Sequence, residues 1–157
     1  CLDAIDAANL RETIKTLVLK KKTPIIGICV GMQALFESSE EGSSLGLGFL
    51  KGRCVSLKPA INGMYKVPHN GFTNVRFSPK SCLNLGLQDS EAFYFNHSYG
   101  ILELGKPAVV DWTKHTQNIV ASFQWQQIFG VQFHPEKSQR TGLKVLSNFI
   151  NNSFIKR

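Results

Sequence analysis

Long apolar runs, paired cysteines and an excess of acidic groups are all missing from this sequence. No stretch of about 18 apolar residues occurs, which argues against a membrane-spanning helix, and no basic-then-apolar leader opens the chain. Cys1, Cys29, Cys54 and Cys82 form no Cys-x-x-Cys pair, which argues against a zinc site and a disulfide framework. We therefore expect a soluble cytoplasmic protein in a reducing compartment, with no membrane contact, metal or other cofactor.

Acidic residues are few, 11 against 18 lysines and arginines, so the net charge is +7. The basic residues cluster at 20–22 and again at Lys156 and Arg157, but aromatic residues are not interleaved with them along any one segment. A nucleic-acid partner is therefore not expected. The alternative is that the positive charge forms a basic face that attracts an anionic substrate or an acidic partner protein.

The first third of the chain has an α/β pattern, and 157 residues suit one domain. Apolar spacing predicts a helix over residues 2–22, which ends at Thr23-Pro24. The β-branched run at 25–28 predicts a strand. A second helix is expected from Cys29 to about Ser38, followed by a polar loop.

Beyond residue 45 the periodicity favours strands. Asn70-Gly71 predicts a tight turn before a strand at 73–77. A closing helix is expected at 141–154, with Leu143, Leu146, Phe149 and Ile150 on its apolar face. The further strand candidates are 54–57, 92–95, 108–110, 119–123 and 128–133.

Residues 24–33 (PIIGICVGMQ) predict a strand, a sharp turn at Cys29 and a helix. Such a turn lifts the sulfur clear of the sheet, and the helix that follows points N–H groups at it. Both effects favour the thiolate and predict a lowered pKa. Gly27 and Gly31 would let neighbouring backbone pass close, and the Val30 N–H would serve as an oxyanion donor. The alternative is a buried structural cysteine at the end of a core strand.

A candidate catalytic base for this cysteine lies at the end of the last predicted strand, in residues 133–136 (FHPE). A nucleophilic thiol needs a base that can also return a proton to the leaving group, which is a role that suits His134. Glu136 lies just beyond a proline that stiffens the turn. Its carboxylate could accept a hydrogen bond from one ring nitrogen and fix the tautomer.

Four separated motifs together resemble a known family, the class I glutamine amidotransferases. Among these, the sequence is most similar to glutaminase subunits of imidazole glycerol phosphate synthase, and the likeness covers nearly the whole chain. The motifs are 27–42 (GICVGMQALFESSEEG), 68–71 (PHNG), 93–99 (FYFNHSY) and 133–138 (FHPEKS).

The resemblance implies a role for each matching residue. Cys29 would attack the side-chain amide of glutamine, His134 would protonate the departing ammonia, and Glu136 would orient His134. The residues implied in substrate binding are Gln33 and Glu41, which would hold the glutamine head, and His97, Ser98 and Tyr99, whose backbone would line the pocket.

The resemblance also implies a fold and a partner. The fold would be an open mixed sheet of flavodoxin-like type with flanking helices and an antiparallel β portion, forming a single domain over 1–157 that lacks the family's N-terminal strands. Ammonia would pass directly to a barrel-shaped synthase subunit in a heterodimer. That partner would make imidazole glycerol phosphate and aminoimidazole carboxamide ribotide in histidine biosynthesis. The interface would lie near residues 68–73 and Tyr94.

The chain departs from the family pattern at two places. After Pro68-His69 the family reads Met-Gly-Trp-Asn, whereas residues 70–73 here are NGFT, so a paralogue that amidates a surface sugar is an alternative. The family also begins with a strand, a helix and a strand that ends in a Pro-Gly-Val-Gly loop, the other half of the oxyanion hole. We expect a truncated chain with weak or no glutaminase activity. An inactive scaffold and a cysteine peptidase are further alternatives.

Overall fold

A computed structural model describes residues 2–60, 65–104 and 108–154. Cys1, Lys156 and Arg157 lie outside the described residues. In these ranges no helix has the length and hydropathy needed to cross a membrane. The elements, in chain order, are α1 (Leu2–Ala7), α2 (Arg11–Lys15), a π-helical turn (Thr16–Lys20), β1 (Ile25–Ile28), α3 (Val30–Gln33), β2 (Phe36–Ser39), β3 (Leu50–Ser56), β4 (His69–Arg76), β5 (Ser90–His97), β6 (Tyr99–Gly100), β7 (Val109–Lys114), β8 (Asn118–Trp125), β9 (Ile128–Val131) and α4 (Gln139–Phe154).

The main sheet is mixed, with the strand order β1-β9-β8-β7-β4-β5. β1 runs parallel to β9, and the remaining neighbours in this sheet are antiparallel. A smaller sheet has the order β2-β3-β6. The expected mixed sheet with an antiparallel portion is therefore confirmed.

Apolar side chains cover both faces of the central strands. In β9, Ile128 packs into one buried cluster with Met32 and Phe123, whereas Phe129 and Val131 pack into a second cluster. A strand buried on both faces needs a continuous apolar run rather than an alternating one. This packing explains why residues 128–133 are almost uniformly apolar, and it fixes the end of β9 where the next residues leave the sheet.

The predicted N-terminal helix is interrupted. α1 and α2 are separated at Asn9, whose φ of 54° lies in the left-handed region. Arg11 holds the break in place, because its guanidinium pairs with Asp6 at 2.7 Å and donates to the Gly46 carbonyl at 2.6 Å. The prediction of one continuous helix over 2–22 was therefore wrong.

The helix after Cys29 is also shorter than the sequence pattern predicts. It ends at Gln33, and β2 begins at Phe36, so the prediction of a helix to Ser38 was wrong. The cause is long-range hydrogen bonding. The Ala34 carbonyl accepts from the N–H of Leu47 at 2.8 Å, and the Leu35 carbonyl accepts from the N–H of Phe49 at 2.9 Å. These bonds use carbonyls that a longer helix would have needed.

Asn70-Gly71 lies inside β4 rather than in a turn, so that prediction was wrong as well. β4 pairs with β5 without interruption from His69↔His97 to Arg76↔Ser90. Gly71 keeps a φ of 124°, a conformation that favours glycine. The eight-residue ladder outweighs the local turn propensity of the pair.

α4 confirms the closing helix and the burial of Phe149, but the buried face is only partly the predicted one. Val145, Asn148 and Phe149 are buried, whereas Leu143 and Ile150 are exposed. Gly142 lies so close to Pro135 that a Cβ would clash with its carbonyl oxygen. The buried face is therefore set by this close approach of the helix to the turn that follows His134.

Candidate active site

Cys29 and His134 follow the carboxyl ends of two neighbouring parallel strands. The pairing of β1 with β9 ends at Ile28↔Val131, and the Cys29 N–H donates to the Val131 carbonyl at 2.8 Å. The His134 N–H donates to the Tyr94 carbonyl of β5 at 2.8 Å. Because parallel strands end at the same edge of a sheet, this topology brings the two residues to one edge.

The backbone at Cys29 has the strained turn that the sequence predicts. Its φ of 51° and ψ of −112° are unusual for a residue with a side chain, and α3 begins at the next residue. A Cβ on Gly27 would lie 2.5 Å from the Gly31 carbonyl oxygen, so only glycine fits there. Gly31 itself faces open space. The predicted need for glycine is thus confirmed at Gly27, which lies against the Gly31 backbone, and wrong at Gly31.

The pKa of the Cys29 thiol is raised, not lowered. Burial is the largest cause, and the carboxylates of Glu41 and Glu136 act in the same direction. The Val30 N–H and the Gln132 side chain lower the pKa but do not reverse the shift. The prediction of a lowered pKa is therefore wrong for this structure, because burial and the two carboxylates outweigh the Val30 N–H and the Gln132 side chain. A neutral thiol needs a base when it attacks.

His134 has a carboxylate partner in the predicted geometry. Its Nδ1 lies 2.8 Å from Glu136 Oε1. Since the carboxylate accepts, Nδ1 carries the hydrogen and Nε2 is left as the proton acceptor. Pro135 begins a 3-10 turn, and the Ser138 hydroxyl donates to the His134 carbonyl at 2.7 Å. The turn therefore fixes the backbone that carries the imidazole.

A cleft of ≈ 220 Å³ opens beside the N-terminus of α3. Val30, Gln33 and Glu41 all line it, so the structure brings three of the predicted site residues to one cavity. Glu41 is exposed and close enough to Cys29 to influence its pKa. An anionic group on this wall can attract the amino group of a small substrate.

Gln33 is buried and makes hydrogen bonds within the protein. Its Nε2 donates to the Tyr99 carbonyl and to Gln132 Oε1, each at 3.0 Å. Gln132 is fully buried, and its Nε2 in turn donates to Cys29 Sγ at 3.7 Å. The sequence analysis did not identify Gln132. The available signal was a single polar residue within the apolar run 128–133.

Residues 97–99 lie behind Gln33 rather than on the described wall of the cleft. His97 Nδ1 lies 2.6 Å from the Tyr99 carbonyl, and the Ser98 carbonyl accepts from the Leu57 N–H at 2.9 Å. Burial lowers the pKa of His97 to about 4, so its imidazole is neutral. Among the described residues, no group of three or more His, Cys, Asp or Glu side chains could hold a metal ion.

Comparisons with known proteins agree with this fold. The family model for glutamine amidotransferase class-I matches residues 4–153. The chain is 39% identical over 142 residues to the imidazole glycerol phosphate synthase subunit HisH 2 of Methanococcus maripaludis, covering 90% of this chain and 69% of the relative. It is 38% identical over 153 residues to the imidazole glycerol phosphate synthase subunit HisH of Pelagibacter ubique. This match covers 96% of this chain and 73% of the relative.

A crystal structure of a glutamine amidotransferase has the same fold, with a TM-score of 0.69 at 13% identity. The match covers 95% of this chain and 70% of that one. The family match spans almost all of the described residues and includes both strand ends that carry Cys29 and His134. The chain belongs to the class I glutamine amidotransferase family.

Proposed function

We propose that this chain is a glutaminase subunit that supplies ammonia to a synthase partner in histidine biosynthesis. The observation that carries the proposal is the strained Cys29 at the end of β1, one strand away from the His134–Glu136 pair. The two HisH relatives support the choice of pathway. The thiols of Cys29 and Cys54 are consistent with the reducing cytosol proposed for such an enzyme.

In the proposed mechanism His134 Nε2 takes the thiol proton while Cys29 Sγ forms a bond to the amide carbon of glutamine. The Val30 N–H donates to the oxygen that becomes negative. When the C–N bond breaks, His134 returns the proton and ammonia leaves, so that a thioester remains. Water then attacks the thioester with His134 as base, which releases glutamate and restores the thiol. Glu136 stabilises the imidazolium formed in each step.

Glutamine would occupy the cleft beside α3. Glu41 would attract its amino group, and Gln33 would contribute to the wall on which its head rests. His97, Ser98 and Tyr99 would act from behind this wall, through the carbonyl that Gln33 bonds. Their proposed role is therefore to support the pocket rather than to contact the substrate.

The partner would be a barrel-shaped synthase subunit that docks beside β4 and β5. Phe72 is 54% exposed, and its ring lies 5.6 Å from that of Tyr94 in an edge-to-face arrangement. The Lys137 ammonium lies over the same tyrosine at 5.5 Å. An exposed phenylalanine packed on a half-buried tyrosine, with a cation beside it, suits a protein interface. Direct transfer protects ammonia, because free ammonia at neutral pH is mostly protonated and not nucleophilic.

The test is labelling with a chloroketone analogue of glutamine, followed by mass spectrometry of each cysteine peptide. We expect alkylation of Cys29 and protection by glutamine, with Cys1, Cys54 and Cys82 unlabelled. Cys82 is the informative internal control because it is partly exposed. Cys54 should stay unlabelled in any case, since burial raises the pKa of its thiol to about 12.

Other outcomes would replace the proposal. Labelling of Cys29 no faster than that of Cys82, with no protection by glutamine, would indicate a scaffold without an assembled site. Peptide cleavage without glutamine turnover would indicate a peptidase. Glutamine-dependent amidation of a sugar substrate, with no imidazole glycerol phosphate made in the presence of a histidine-pathway synthase, would indicate the sugar-modifying paralogue.

A further inference from the structure

We propose that Gln132 is a positioning residue for the nucleophile: its side-chain N–H, oriented by Gln33, donates to Cys29 Sγ and stabilises the thiolate. Gln132 is fully buried and lies two residues before His134, at the carboxyl end of β9. The inference deepens the proposed glutaminase function and rests on Cys29 being the nucleophile. It assigns a task to a residue that is separate from the Cys29, His134 and Glu136 set.

The hydrogen bonds of this group have a defined direction. The Tyr99 carbonyl can only accept, so the Gln33 Nε2 at 3.0 Å must donate to it. The second hydrogen of the same nitrogen points to Gln132 Oε1, also at 3.0 Å. With its oxygen accepting, Gln132 has Nε2 turned toward Cys29 Sγ at 3.7 Å. The sulfur therefore receives a hydrogen bond from Gln132, whose orientation is set by Gln33 and, through Gln33, by the Tyr99 carbonyl.

The outer end of the group is also held in place. His97 Nδ1 donates to the same Tyr99 carbonyl at 2.6 Å, so His97 Nε2 accepts from His69 Nδ1 at 3.0 Å. His69 Nε2 then accepts from the Thr73 hydroxyl at 2.8 Å. Each ring has one possible tautomer. The donors from β4 and β5 therefore point to the Tyr99 carbonyl, which also accepts from Gln33 Nε2 on its other side. Buried amides that are hydrogen-bonded at both ends of such a chain are held in a fixed orientation.

The charges around the sulfur explain why a donor is needed there. Glu41 approaches from the loop after β2 and Glu136 from the turn after β9, and both carboxylates disfavour a thiolate. Burial acts in the same direction. The opposing contributions come from the Val30 N–H and from Gln132. Removal of the Gln132 N–H would leave the sulfur with one of these two compensating donors.

The experiment measures the rate of Cys29 alkylation by iodoacetamide from pH 6 to 10, by mass spectrometry of the Cys29 peptide. Gln132→Met has a similar length but no N–H. We expect its alkylation profile to move upward by about one pH unit, or about tenfold slower alkylation at neutral pH. Gln33→Met should move the profile in the same direction by less, because Gln132 keeps its donor but loses its orientation.

The double variant decides whether the two amides act together. If Gln33 acts through Gln132, the Gln33→Met/Gln132→Met chain should match Gln132→Met alone. Additive shifts would overturn the proposed relay. Asn148→Leu is the matched control, since Asn148 is another buried amide, bonded to the Leu83 and Leu85 carbonyls far from the cysteine. It should lower the melting temperature without moving the alkylation profile.

A second measurement needs no substitution at the site. In the unmodified chain, the side-chain NH₂ signals of Gln132 and Gln33 in an amide NMR spectrum should shift with pH at the midpoint of Cys29 alkylation, while those of Asn148 stay fixed. Unmoved Gln132 signals would overturn the inference. Neither readout depends on glutamine turnover, so the glutaminase proposal and this one can fail separately.

Discussion

At the scale of single residues, the chemistry of Cys29 depends on its surroundings more than on its intrinsic acidity. Burial and two nearby carboxylates raise the pKa of the thiol, so the sulfur is neutral at physiological pH. A neutral thiol must lose its proton during attack. His134 has the required free nitrogen only because Glu136 occupies the other one, at 2.8 Å. The tautomer is thus as important to the proposed reaction as the nucleophile.

The substitution Glu136→Gln tests this dependence. A neutral amide can occupy the same space but no longer stabilises an imidazolium, so we expect kcat to fall about 100-fold with little change in KM. This value is at the lower end for such a group, because the Glu136 side chain is 55% exposed and water screens its charge. Steady-state glutamine hydrolysis measures the effect.

Glu12→Gln is the matched control for that change. Glu12 is also an exposed carboxylate, 3.4 Å from the Lys15 ammonium, and it lies on α2 away from the strand ends. Its loss should leave kcat unchanged. A Glu136→Gln chain with undiminished kcat would show that the carboxylate does not support the imidazole.

At the scale of secondary structure, the turn between β1 and α3 depends on one glycine. Gly27 lies against the backbone of Gly31 and Met32, where a Cβ would come within 2.6 Å of fixed atoms. Backbone atoms cannot move aside as a flexible side chain can. The strand and the helix can therefore form the Cys29 turn only while this position has no side chain.

Gly27→Ala should accordingly destabilise the fold by about 1–3 kcal/mol or more, since the added methyl overpacks the turn. Gly31→Ala is the comparison, because Gly31 faces open space and lies within α3. Its free energy of unfolding should stay the same or rise by up to about 1 kcal/mol. Urea unfolding of both variants measures the difference. Equal effects would contradict the close approach at Gly27.

At the scale of the whole molecule, two buried histidines make stability depend on pH. Burial lowers the pKa of His69 to about 3 and that of His97 to about 4, against an ordinary 6.5. Both rings are neutral in the folded chain and become charged on unfolding below pH 6.5. Their contribution to stability is therefore complete above that pH and is lost as pH falls toward the folded values.

The prediction is a free energy of unfolding that decreases from pH 7 to pH 5, with a slope that approaches about 1.4 kcal/mol per pH unit for each histidine. His69→Phe removes one of the two titrating rings and keeps the stacking with Phe95 at 4.5 Å. Its slope should be about half that of the unmodified chain. Asp111, whose pKa burial raises, is common to both proteins and cancels in the comparison. Identical slopes would be evidence against the buried histidine pair.

Much of this molecule could be read from local sequence. The apolar runs at 25–28 and 119–123 correctly predicted strands, and the Gly-x-Cys-x-Gly segment correctly predicted the turn at Cys29. The order of motifs gave the family, which the match over residues 4–153 supports. These features depend on neighbours in the chain. The predictions of a helix to Ser38 and of a turn at Asn70-Gly71 were wrong. At both places, residues distant in the chain supply the backbone hydrogen bonds that decide the local structure.

By itself, the sequence determined which residues could act as nucleophile, base and carboxylate, because residue type and local backbone geometry are local properties. Only the tertiary structure decided that the thiol is neutral, that Glu41 shares a cleft with Val30, and that Gln132 donates to the sulfur. The physical reason is that burial, charge and hydrogen bonding at Cys29 come from residues up to 107 positions away, Glu136 being the farthest (136 − 29). Spacing along the chain does not encode these contacts.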